Sequence, residues 1–439
     1  MKFRVFAATF AAVLTLSSAA FAKTDVPIED YIISQLKNFE ETIDLSEYAE
    51  EAGWGKNDMK TVSKIFVSTV SASPEIYFLN NDETKSLGSI SFQQHGANIN
   101  YSVTDISYSM TREEYEKSQA VFNDAVDTAL EAVTDDMSDF EKALALHDYI
   151  VLNTSYDHTL KKSTSYNALV EHEAVCQGYA EAYVYLLNKV GIKSLIATSA
   201  SMNHAWVLVK LGDFYYHVDP TWDDPSMLGK TDMLGHVSHE YFLLSDEGIR
   251  AKKHNGWTTE SSVAAPSVKY DKAVWRNVDT EIVPVGDLLY FAELDENSPG
   301  HNGNYKNLRG KLSSAEFNKT FYKMYTDIKS YDPSNGALKT VHTIDSTWFT
   351  DGSETTNDSK SWTDATYVSL ASYNDKIYFN TAKGIYSLDP SDGTVKTIAE
   401  PTLDGKYIFG IKISGDTLTL TLKTRAGDAD TLRTIDIKE

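Results

Sequence analysis

Apolar residues return at intervals of three and four along much of the first 190 positions, the spacing of helix faces packed on a core. Ile28, Ile32, Leu36 and Phe39 line one such face, and Met59, Val62, Phe66 and Val70 a second. Ile76–Leu79 and Asn98–Met110 read as strands after them. Thr111-Arg-Glu-Glu114 is a capping box that opens a helix with Tyr115, Phe122, Val126, Leu130 and Val133 on one side. A second box, Ser138-Asp-Phe-Glu141, opens a helix carrying Phe140, Leu144, His147 and Val151. That places His147 on an apolar face, where a hydrogen-bonded core histidine is the ordinary reading.

The helical spacing returns at Tyr179, Ala182, Tyr183, Leu186, Leu187 and Val190, and Gly191 ends it as a C′ residue. Strand patterns follow at Ile192–Thr198, Asn203–Lys210 and Phe214–Asp219, the last two joined by a turn at Gly212-Asp213. Beyond about residue 270 helical periodicity stops, and strand-like runs alternate with Asp, Asn and Gly turns. Ser330-Tyr-Asp-Pro-Ser-Asn-Gly-Ala-Leu-Lys-Thr-Val341 repeats at Ser387-Leu-Asp-Pro-Ser-Asp-Gly-Thr-Val-Lys-Thr-Ile398, 57 residues later. Repeats of this length predict propeller-like blades, or an open meander.

At 439 residues the chain has room for about three domains. The fold class expected is α+β with a C-terminal all-β domain: an N-terminal α+β accessory region over 23–110, an α+β domain over 111–262 and an all-β repeat domain over 270–439. Residues 1–22 read as an export signal, with Lys2 and Arg4, an apolar run to Leu16 and a small-x-small site at Ala20-Phe-Ala22. That run is too short for a spanning helix with these flanks, and no later segment approaches 18 uninterrupted apolar residues. The expectation is a secreted, extracytoplasmic protein without a membrane span.

Charge narrows the partners. Lys and Arg number 40 against 63 Asp and Glu, a net charge of −23. Without Lys2 and Arg4, 38 basic residues face 63 acidic ones, which gives −25. So acidic a chain repels nucleic-acid backbones and anionic membranes. The single cysteine, Cys176, excludes an internal disulfide and a Cys-rich zinc module. In an oxidising compartment a lone cysteine is either a small apolar filler or a thiol kept for chemistry.

Its neighbours favour chemistry. Cys176 falls at or just inside the N-terminus of the Tyr179–Val190 helix, where orphan N–H groups and the positive dipole end stabilise a thiolate and can serve an oxyanion. A thiolate nucleophile needs a base. If the loop joining the two later strands has an even number of residues, antiparallel pairing sets His204 opposite or diagonal to Asp219 on one face. Asp219 then orients the His204 ring and leaves the other nitrogen for Cys176. No Gly-x-Ser-x-Gly, Walker loop or dinucleotide fingerprint occurs, and His172-Glu173 and His239-Glu240 lack the second histidine of a zinc-protease helix. His236-Val-Ser-His239 reads as a solvated loop, and no metal site or cofactor is expected.

Cys-Gln-Gly-Tyr-Ala at 176–180, Asn-His-Ala-Trp at 203–206 and Tyr-Tyr-His-Val-Asp-Pro-Thr-Trp-Asp-Asp-Pro at 215–225 resemble the bacterial transglutaminase-like superfamily, within the wider set of papain-fold cysteine enzymes. His147-Asp-Tyr-Ile-Val-Leu-Asn-Thr-Ser-Tyr-Asp157 resembles the segment upstream of the nucleophile there, so the resemblance covers roughly 111–250. It implies a nucleophile helix packed on an antiparallel sheet, with Cys176 as nucleophile, His204 as base and acid, and Asp219 as orienting carboxylate. The upstream tryptophan that serves the oxyanion in well-studied transglutaminases has no counterpart between Trp54 and Trp206. Tyr156 or Gln177 would stand in its place. Trp206 and Trp222 would wall the cleft or pack as buried aromatics, and Asp223 and Asp224 read as turn residues. The activity implied is acyl transfer from protein or peptide amides, by hydrolysis first and cross-linking second. A scaffold without activity is the reading from another class, with the C-terminal β domain as the surface for a cell-surface or extracellular partner.

Overall fold

A computed structural model of the chain describes residues 26–79, 87–96, 98–224, 237–259, 262–295, 297–298, 324–346, 367–424 and 431–438. The export-signal reading therefore lies outside the described residues. The described chain divides into two units. The first takes the described parts of 1–146, 156–221 and 243–271; the second takes those of 147–155, 222–242 and 272–439.

The first unit starts with helices Ile28–Lys37, Ser46–Ala52 and Met59–Ser71 beside a three-stranded antiparallel sheet of Ile43–Asp44, Asn98–Thr104 and Ser89–His95. Ile76–Leu79, expected as a strand, makes only an isolated bridge from Leu79 to Tyr108. Helix Arg112–Leu130 begins at Thr111, whose hydroxyl accepts from the Glu114 N–H while the Glu114 carboxylate accepts from the Thr111 N–H, at 3.3 and 2.7 Å. Ser138 and Glu141 repeat this box ahead of helix Asp139–Asn153. Both ends satisfy orphan amides with the residues the sequence supplies there.

Helix Cys176–Lys189 packs on strands Ser194–Ser199 and His204–Leu211 with Tyr179, Ala182, Tyr183, Leu186 and Leu187 buried. The sheet runs Trp257–Thr258, Ser194–Ser199, His204–Leu211, Phe214–Val218, Phe242–Leu244, and its first three pairings are antiparallel. His204 to Val209 are buried without interruption, because this central strand is covered on both faces. Gly178 admits the close packing: a Cβ there would sit 2.8 Å from both the Thr164 carbonyl oxygen and the Ala174 Cβ.

The second unit is built from meanders. One four-stranded sheet runs Val283–Val285, Leu288–Leu294, Met324–Asp332, Ala337–Ser346; the next runs Leu370–Tyr373, Lys376–Asn380, Ile385–Leu388, Val395–Ala399. A third has Tyr407–Ser414, Thr417–Lys423 and Thr431–Asp436. Ala292, Ile328, Ile344, Leu370, Ile377 and Phe379 pack together, and Tyr378, Ile385, Ile408, Leu418 and Leu420 form a second core. The sequence repeat falls on the third-to-fourth-strand hairpin of both four-stranded sheets. Of the two expectations, propeller-like blades or an open meander, the described strands show meander sheets; they do not show a propeller. No helix among the described residues is long and apolar enough to cross a membrane.

Candidate active site

Cys176 is the first residue of its helix, 8% exposed, after an extended Val175. The Val175 N–H donates to the Lys162 carbonyl at 2.7 Å. That loop is organised by Asp157, whose carboxylate accepts from the backbone N–H groups of Thr159, Lys161 and Lys162 at 2.7, 2.7 and 2.9 Å. Burial alone would raise Asp157; these donors outweigh it and hold the group at about 2. Cys176 thus stands at the end of the helix where the first-turn N–H groups are unpaired within the helix and the dipole is positive.

His204 opens the central strand after a turn in which Asn203 takes the left-handed conformation, φ 51°. The loop between this strand and Phe214–Val218 is the two-residue Gly212-Asp213, and Val207 pairs with Val218. Carried one step past those pairs, the register sets Asp219 opposite Trp206 and diagonal to His204. The Nε2–H of His204 donates to Asp219 Oδ2 at 2.6 Å, since a carboxylate only accepts. The ring also hydrogen-bonds the Cys176 thiol, for which Nδ1 is the nitrogen left. Burial opposes a charge on His204, but Asp219 and Cys176 prevail and raise it to about 10. Asp219 is fully buried; burial would raise it, yet His204 and His254 hold it far below the carboxylate range. The site thus favours a protonated His204 ring between Asp219 and Cys176.

His254 was not anticipated from the sequence. It follows helix Asp246–Ala251, is fully buried, and donates from Nε2 to the same Asp219 Oδ2 at 2.7 Å. Trp206 is also fully buried; its ring stacks on His204, with centroids 5.6 Å apart and planes at 24°. Tyr156 lies within electrostatic reach of Cys176 and Asp219, and burial followed by those charges pushes its hydroxyl up to about 12, so it stays a donor. Gln177 donates its side-chain amide to Glu181 Oε1 at 2.9 Å, one turn along the helix, away from the role of a free-swinging donor. Trp222 belongs to the second unit, where it meets the Tyr241 ring edge-on at 5.3 Å.

Two buried groups of side chains offer donors of the kind that hold a metal: His204, Asp219 and His254 in the first unit, and His147, Asp148 and His239 in the second. In the second, Asp148 Oδ1 lies 2.8 Å from His147 Nδ1 and 2.9 Å from His239 Nε2, while His147 Nε2 lies 3.2 Å from Asp223 Oδ2. Two ligands of one tetrahedral zinc stand about 3.3 Å apart. The two Asp148 contacts are shorter than that and are those of hydrogen bonds. Asp223 and His239 are fully buried members of this network, where the sequence suggested a turn residue and a solvated loop. His236 lies outside the described residues.

The family model described as Transglutaminase-like superfamily matches residues 126–220. A search of curated proteins finds no match. Among solved structures the chain is similar to one titled "Crystal structure of a TGase", at 14% identity and a TM-score of 0.21. That match covers 30% of this chain and 44% of the other, so the chain spans less than half of that relative. The family match falls on the stretch that forms the Cys176–Lys189 helix and the His204–Asp219 hairpin, a transglutaminase-like core.

Proposed function

We propose that the protein is a cysteine acyl-transfer enzyme acting on protein or peptide amides, by hydrolysis. The observation that carries this reading is one buried line of contacts: Cys176 at a helix start, hydrogen-bonded to His204, whose other nitrogen donates to Asp219. The Cys176 thiolate attacks the amide carbonyl and an S–C bond forms. The helix-start N–H groups, with the Tyr156 hydroxyl, stabilise the oxyanion. The C–N bond breaks as His204 gives its proton to the departing amine. Water then attacks the thioester, His204 takes its proton, and the thiolate leaves with a carboxylic acid as product. Water needs no second binding site, which favours hydrolysis over transfer to an amine. Cys176, His204 and Asp219 are the catalytic residues of this proposal.

The apolar segment near residue 1 supports export, and the β-rich second unit is the surface proposed for a cell-surface or extracellular partner. The test is the purified protein assayed in parallel for cleavage of a peptide library and for incorporation of a labelled primary amine. Cleavage abolished by Cys176→Ala is the expected result. Amine incorporation without cleavage would replace hydrolysis by cross-linking. A Cys176 that reacts with iodoacetamide no faster than free cysteine would leave only a scaffold.

A further inference from the structure

Asp219 Oδ2 accepts from two rings at nearly equal distance, His204 at 2.6 Å and His254 at 2.7 Å, while Asp219 Oδ1 accepts from the Thr221 N–H at 3.1 Å. The second histidine is held as firmly as the first. Its backbone N–H donates to the Ile249 carbonyl at 3.1 Å, closing the end of the Asp246–Ala251 helix. Its ring stands edge-on to Trp206, 4.9 Å away at 88°, and 5.5 Å from the His204 ring. Nothing in a two-histidine carboxylate is required for burial alone, since one donor and the Thr221 amide already satisfy Asp219.

We propose that His254 is a positioning residue of the reaction: its donation to Asp219 fixes the carboxylate plane and divides the carboxylate's charge between two rings. The inference rests on the acyl-transfer reading. A carboxylate serving His204 alone would hold the imidazolium proton harder, and His204 must surrender that proton to the leaving amine. The shared oxygen keeps His204 charged beside the thiolate and leaves it able to act as an acid. The titratable and charged groups facing this pair are Cys176 on the nucleophile helix, Tyr156, and His217 on the next strand, with Asp246 and Arg250 beyond it.

The experiment uses the full protein with ¹⁵N-labelled histidine, followed by NMR across pH, with iodoacetamide as the probe of Cys176. In the wild type, the spectrum should show Nε2 of His254 as the nitrogen that donates to Asp219. In His254→Phe, the His204 titration moves up by about one pH unit, a tenfold change in its acid dissociation. His254→Gln, which retains an N–H donor, brings it back toward the wild-type value. A folded His254→Phe whose His204 titration is unmoved overturns the proposal, and so does a wild-type His254 with a bare Nε2, a result that needs no variant to fold. An unreactive wild-type Cys176 overturns the acyl-transfer reading and this inference with it; a reactive Cys176 with an unmoved titration overturns this inference alone.

Discussion

The indole N–H of Trp206 donates to Nδ1 of His217 at 2.9 Å, and Nε2 of His217 donates to Asp246 Oδ1 at 2.9 Å. The indole can only donate, so His217 is the neutral Nε2–H tautomer, and burial accordingly depresses its basicity. This chain of two hydrogen bonds fixes the plane of the ring on which His204 stacks. Trp206→Phe keeps an aromatic wall but leaves His217 Nδ1 buried without its donor, at a cost of about 1–3 kcal/mol. Urea unfolding should show that loss, and iodoacetamide should alkylate Cys176 more slowly at pH 7 because His204 is less well seated.

The parts of this site that could be read from the sequence are those that ride on regular elements. The helical spacing from Tyr179 to Val190 placed Cys176 at a helix start, and a two-residue loop made the His204–Asp219 relation a matter of register. His254 had no such signal. It follows a six-residue helix in an irregular segment, 35 residues from the carboxylate it binds, and only tertiary packing brings the two together. The same holds for Asp223 and His239, which reach His147 and Asp148 from loop segments where polar residues ordinarily mean solvent. In the β-rich part the turn chemistry was legible, but how meander sheets stack is set by long-range packing that a local repeat does not encode.

Asp219→Asn preserves an oxygen that both histidines can bond while removing the charge they share. His204 then loses its largest support against burial, so its titration falls from about 10 rather than rising. Turnover of any peptide the wild type cleaves should drop by about 10⁴, the scale seen when a triad carboxylate becomes an amide. A turnover within tenfold of wild type would remove Asp219 from the proposed mechanism.

Gly178→Ala tests the seating of the Cys176–Lys189 helix. The added methyl would lie 2.8 Å from the Thr164 carbonyl oxygen, a backbone atom, and 2.8 Å from the Ala174 Cβ. Neither can swing aside as a flexible side-chain end would, so the helix start must shift, at about 1–3 kcal/mol. The expected outcome is a lower urea midpoint together with slower Cys176 alkylation, since the displaced turn carries the thiol.

The two repeat turns share one construction. Asp332 and Asp389 each accept from the Ser N–H two residues on, at 2.9 Å, and each has its carbonyl bonded by the turn glycine, at 2.8 and 2.9 Å. Gly336 and Gly393 have φ of 75° and 76°, the region that favours glycine. Either glycine changed to alanine should cost about 1–2 kcal/mol. The turns belong to different sheets and share no partner, so the double variant should lose the sum within about 0.5 kcal/mol. Differential scanning calorimetry of the two single variants and the double variant measures this directly.

The buried network of the second unit makes stability depend on alkaline pH. Burial would lower His147, but Asp148 and Asp223 outweigh it and raise the ring to about 9 from 6.5. A group raised on folding contributes fully below its unfolded value and loses that contribution as pH climbs through the folded one. His147 should therefore stabilise the protein below pH 6.5 and progressively less toward pH 9, by roughly 2–3 kcal/mol over the window. His204, and the carboxyls of Glu181 and Glu281 raised by burial to about 7 and 8, push the same way. The wild-type slope is thus a composite, and the difference from His147→Gln isolates one ring. His147→Gln should be less stable at pH 6.5 and should close part of that gap by pH 9.5 in urea titrations. A gap that stays constant across the window would mean that His147 is neutral in the folded protein and that its two carboxylate contacts are held by some other proton.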